Sequence, residues 1–165
     1  MYQKKLILYF LLILSSFFIE YLSIPLIKSQ KIVFVIIVGV SFLKTISFMI
    51  NIIKKEIDFF KKDINSNNSF YILILLSVFL IITSYAFDYF LVYNFFQKCF
   101  NPLAVNVSIF KKMWLSFYYS SMIFFWMGIA DVTSSCTISQ MITWAESLVT
   151  FFILSYSGFK FLQHK

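Results

Sequence analysis

Seven acidic side chains, one histidine and two cysteines are the side chains in this chain that could supply carboxylate, metal-ligand or thiol chemistry. Three of the acids, Glu20, Asp88 and Glu146, fall inside long apolar runs, and Asp131 falls in an irregular polar stretch. An enzyme would need converging acids or a metal cluster, and these three acids come without histidine or cysteine partners in sequence. His164 stands beside Lys165, and one histidine cannot build a metal site. Catalysis is therefore not expected, and neither a resident metal nor a cofactor. What the buried acids do demand is a partner. A charge inside a membrane helix costs about 2.5 to 3.5 kcal/mol, so Glu146 should face protein or water. Lys44 is the corresponding base within an apolar run; snorkelling to the interface is its ordinary behaviour, and pairing with an acid on a neighbouring helix is the alternative.

The elements that carry these residues follow from composition. The chain has 165 residues, 61% hydrophobic and 13% charged, about half the charged share of a soluble domain. A core of this size cannot hide that much apolar surface from water, so the expected solvent is a lipid bilayer. A hydrocarbon layer of about 30 Å takes roughly 20 apolar residues per helix. The charges break the chain into four such runs, 6–27, 32–53, 70–97 and 138–161. The net charge of +7 comes entirely from lysine on the basic side. Without arginine there are no bidentate forks for phosphate or guanine, and lysines at span ends serve topology. No nucleic-acid partner is expected.

The run 6–27 is too long for a signal peptide and lacks a small-residue cleavage site, so 1–53 reads as two N-terminal transmembrane helices. Residues 54–69, with four lysines, three acids and the run Asn65, Ser66, Asn67, Asn68, Ser69, read as a solvated polar loop. Within 70–165 the third span is followed by a loop, an aromatic amphipathic stretch at 111–125, the irregular segment 126–137 and the last span. Non-helical backbone survives at membrane depth only inside protein or along a water-filled path.

The segment FYYSSMIFFWMGIAD followed by AESLVTFFILS resembles the pore module of the two-helix potassium channel family. Laid against it without gaps, Tyr118 and Ser120 fall on the pore helix, Gly128 on the first filter glycine and Asp131 on the acid after the filter. Glu146, Leu148, Phe151 and Phe152 fall on the inner helix. The resemblance covers 70–161 and implies an all-α integral membrane protein. Four transmembrane helices would carry a re-entrant pore helix and filter loop between the third and fourth, in a homotetramer or heterotetramer around a pathway for potassium or another monovalent cation.

The filter positions read Trp126, Met127, Gly128, Ile129, Ala130 where the family has Thr-Val-Gly-Tyr-Gly. The threonine hydroxyl that helps replace an ion's water shell is lost, and four indoles would crowd the inner mouth unless the backbone path changes. Ala130 puts a Cβ where the family has glycine, at about 1 to 2 kcal/mol if the left-handed conformation is kept. These changes point to a weakly selective pore or a silent subunit. Under the resemblance Asp131 stands at the outer mouth, Glu146 supports the filter from the inner helix, and Thr150 stiffens the position of the family's hinge glycine.

The same topology places Cys99 and Cys136 on the outer side, as in the extracellular bridge of inward-rectifier channels; a disulfide and two unpaired thiols are both open. Counting lysines places both termini in the cytoplasm of a bacterial-type inner membrane, with 54–69 as a cytoplasmic loop. The rival reading is a small membrane scaffold in which 126–137 is an ordinary extracellular loop.

Overall fold

The computed structural model describes residues 21–22, 29–60, 67–96, 99–101, 107–127 and 133–163. The expected first span lies outside these residues except for Tyr21 and Leu22, which are helical. The described chain forms four helices, α1 (Gln30–Phe60), α2 (Asn67–Phe95), α3 (Ile109–Phe124) and α4 (Thr137–Gln163), and two short strands, β1 (Phe100–Asn101) and β2 (Thr133–Ser134). Three stretches are long and apolar enough to cross a membrane: Gln30–Ile50, Leu75–Phe95 and Thr137–Ser155.

α1 is rich in Ile, Val and Phe, which are mediocre helix formers in water. In hydrocarbon, however, only a helix lets a single segment satisfy its own backbone. α1 also runs past the expected end of its span at Ile53 to Phe60, and α2 begins at Asn67. Much of the expected polar loop is thus helix. Residues 54–60 contain neither Gly nor Pro, and an existing helix extends without a new nucleation cost.

Side-chain contacts order the helices. Ser41 and Lys44 of α1 meet Asp88 of α2, while Thr45 meets Tyr85, so α1 and α2 are antiparallel. At one end of the bundle Lys112, near the start of α3, donates to Asn94 Oδ1, near the end of α2, at 3.1 Å. Further along, Ser120 of α3 donates to the Ile82 carbonyl of α2 at 2.9 Å. α3 therefore descends antiparallel to α2 and in the same direction as α4, whose Thr143 and Glu146 meet Tyr119 and Ser120 in that order.

The upper end is closed covalently and by a small sheet. Phe100 pairs with Ser134 and Asn101 with Thr133 in antiparallel register, and a disulfide joins Cys99 to Cys136 with Cα atoms 4.7 Å apart. Just below it, Tyr89, Phe100 and Tyr119 meet edge to face, with ring centroids 4.8 Å apart for Tyr89 and Tyr119 and 5.3 Å for Phe100 and Tyr119. Such edge-to-face pairs add stability beyond their buried area and tie α2, β1 and α3 together.

Candidate functional site

α3 starts at Ser108, whose hydroxyl accepts the Lys111 N–H, and buries Ser116, Tyr119, Ser120 and Phe124 along one face. Its far end is shaped by backbone bonds. Phe125 N–H donates to Ser121 O, Trp126 N–H to Ile123 O at 3.1 Å and Met127 N–H to Met122 O at 3.0 Å. The last two are the paired bonds of a Schellman cap, which requires a left-handed residue at the position Trp126 occupies. Trp126 supplies it at φ 53°, although glycine is the usual residue there because a Cβ is strained in that region. The indole is stacked on Phe151 of α4, with centroids 6.4 Å apart and planes at 27°.

This end lies deep in the bundle. Phe151 is about four turns, or about 21 Å, along α4 from Thr137, within the stretch Thr137–Ser155 that is long and apolar enough to span a membrane. By Thr133 the chain is back beside the disulfide. Phe125, Trp126 and Met127 are 54%, 61% and 57% exposed on the single chain. Among the expected filter residues, Trp126 and Met127 thus form the capped end of α3. Gly128, Ile129 and Ala130 lie outside the described residues, as does Asp131.

Glu146 is fully buried. Its Oε2 accepts the Tyr89 hydroxyl at 2.8 Å, and Oε1 contacts the Ser120 hydroxyl. Ser120 has one proton for two acceptors, Glu146 and the Ile82 carbonyl. The carboxyl therefore ties α4 to α2 and α3 together, next to the descending part of α3. Thr143 Oγ1 donates to Ser139 O at 2.9 Å, so the Tyr119 hydroxyl, 3.2 Å away, donates to Thr143. Thr150 is buried, with its hydroxyl donating to Glu146 O at 3.0 Å.

A second polar group joins α1 to α2. Lys44 does not snorkel; its ammonium is ion-paired with Asp88, whose other oxygen accepts Ser41 Oγ at 2.7 Å. Asp88 is 1% exposed, inside protein rather than against lipid. The reason is the facing base and hydroxyl, which satisfy the carboxylate inside protein. Thr45 donates to Ser41 O, leaving the Tyr85 hydroxyl to donate to Thr45.

Sequence reasoning passed over Tyr85 and Thr143 and gave Tyr89 no role as a partner of Glu146. A signal was present: buried polar residues recur one turn apart within apolar helices, as Ser41 and Thr45, Ser84 and Asp88, Ser116 and Ser120, Glu146 and Thr150. Polar stripes at helical spacing in a membrane span face protein rather than lipid. Among the described residues no group of histidine, cysteine and acidic side chains is arranged to hold a metal ion. No protein-family model, curated protein or solved structure matches the chain.

Proposed function

We propose that the chain is a channel-like pore-forming membrane subunit that passes monovalent cations, potassium among them, with weak selectivity, and that it works as a ring of four copies. One observation carries the reading. α3 enters from the disulfide end, stops at a capped turn deep along the last span, beside Phe151, and the chain is back at the disulfide end by Thr133. Five residues join Met127 to Thr133, a reach of about 20 Å when fully extended, comparable to that depth.

Backbone that is neither helix nor closed sheet is tolerated at such depth only where protein or water covers it. A single chain leaves the turn at Phe125, Trp126 and Met127 open. Further copies arranged about a common watery axis would cover it. The C-terminal end of α3, where helix dipoles leave partial negative charge, favours a cation over an anion in that space. Glu146, through Ser120, helps hold the descending helix in place, together with the bonds of Tyr119 to Thr143 and Lys112 to Asn94.

The test is ion flux from purified protein in liposomes, comparing potassium, sodium and a bulky impermeant cation, with oligomeric mass measured on the same sample. A tetramer passing potassium or sodium is the expected result. Trp126→Gly, which keeps the left-handed turn and removes the indole, combined with Ala130→Gly should then raise potassium flux. A tetramer that passes nothing would make the chain a non-conducting channel-like subunit, and a monomer or dimer without flux would make it a scaffold.

A further inference from the structure

Asp88 and Tyr89 are consecutive on α2, about 100° apart around its axis, and they serve different neighbours. Asp88 takes Lys44 and Ser41 of α1. Tyr89 donates to Glu146 of α4, which holds Ser120 of α3. Both residues are buried. We propose that Lys44 and Asp88 are positioning residues for the deep end of α3: by fixing the rotation of α2 from the α1 side, they set the Tyr89 hydroxyl against Glu146 and thereby the turn at Trp126 and Met127.

The physical basis is a difference in stiffness. Separating a buried ion pair leaves an uncompensated charge away from water, a larger penalty than losing a neutral hydrogen bond. From the α1 side, the rotational setting of α2 is therefore held at Asp88. A turn of about 20° about the helix axis moves an atom about 6 Å off that axis by about 2 Å, enough to break the 2.8 Å contact between Tyr89 and Glu146. α1 packs chiefly on α4 and α2, so this route gives a helix outside the α2–α3–α4 module a hold on the re-entrant segment. Nothing in it requires that ions pass.

Hydrogen exchange of the full-length protein in nanodiscs, read by mass spectrometry, tests it. The reporters are the amides of Phe125, Trp126 and Met127, which donate to Ser121, Ile123 and Met122. Neutralising the pair as Lys44→Met with Asp88→Asn should speed exchange there on the order of ten-fold, with the Cys99–Cys136 bond still formed. In a Tyr89→Phe background the same double substitution should change exchange at those amides by less than two-fold. Faster exchange confined to α1 and the part of α2 around Asp88 would overturn the proposal, because the pair would then only anchor α1. An effect at the α3 end that is equal with and without the Tyr89 hydroxyl would overturn it too. Should the neutral pair fail to fold, Ser41→Ala removes one bond to Asp88, and the α3 amides should still respond in the same direction; no response there would sink the idea.

Discussion

Trp126 combines a strained backbone with a favourable ring contact, and the two nearly offset. Replacing it with glycine relieves about 1 to 2 kcal/mol of left-handed strain and forfeits about 0.5 to 1.5 kcal/mol of aromatic contact with Phe151. Trp126→Gly should therefore be close to neutral in thermal unfolding of the detergent-solubilised protein. Once Phe151→Ala has removed the stacking partner, the same substitution should stabilise by about 1 kcal/mol; equal effects in both backgrounds would show that the stack contributes nothing. Glu146 makes a sharper case. Glu146→Leu leaves the buried Tyr89 hydroxyl without its best acceptor and should cost about 1 to 3 kcal/mol, whereas Glu146→Gln keeps an oxygen for it and should cost less. The order of the two unfolding temperatures checks this.

At the scale of elements, α2 carries most of the organisation because it presents partners on several faces at once. Lys44 and Ser41 reach it from α1, Ser120 from α3 and Glu146 from α4. The upper end depends instead on the bond between Cys99 and Cys136, 37 residues apart in sequence. By loop entropy a bridge of that span stabilises by roughly 3 to 4 kcal/mol. Replacing both cysteines by serine should lower stability by about that amount, and alkylation should add mass to the wild type only after reduction. Equal labelling with and without reductant would remove the bridge. The residues of the short sheet, Phe100–Asn101 and Thr133–Ser134, flank these cysteines, so the serine variant should also loosen the β1–β2 pairing.

For the whole molecule, the disulfide end and the lysine distribution make a joint statement about orientation. Lys54, Lys55 and Lys160 lie toward the end of the bundle away from the cysteines, by their place in α1 and α4. If that end faces the cytoplasm, a membrane-impermeant reductant added to intact cells should open the Cys99–Cys136 bond without lysis. Protection until the membrane is permeabilised would invert the topology. The exposed apolar residues of α4, Trp144 and Phe151 among them, suit either lipid or a neighbouring copy, and the oligomeric mass decides between these.

Sequence by itself determined the rough limits of the three described spans and the short helix before the last one. These follow from the apolar run lengths and from the requirement that backbone in hydrocarbon satisfy itself, and both are local properties. The polar loop expected over 54–69 is largely helix, because charge marks where a chain can leave the membrane, not where a helix must stop. Glu146 needed a partner on energetic grounds alone, but the partner's identity was not local. Tyr89 and Ser120 come from two other helices, and only the crossing of α2, α3 and α4 brings them to one carboxyl. The pairing of Lys44 with Asp88 and the left-handed turn at Trp126 were decided in the same way. Each depends on which faces of the helices meet, and packing in three dimensions settles that where one-dimensional periodicity cannot.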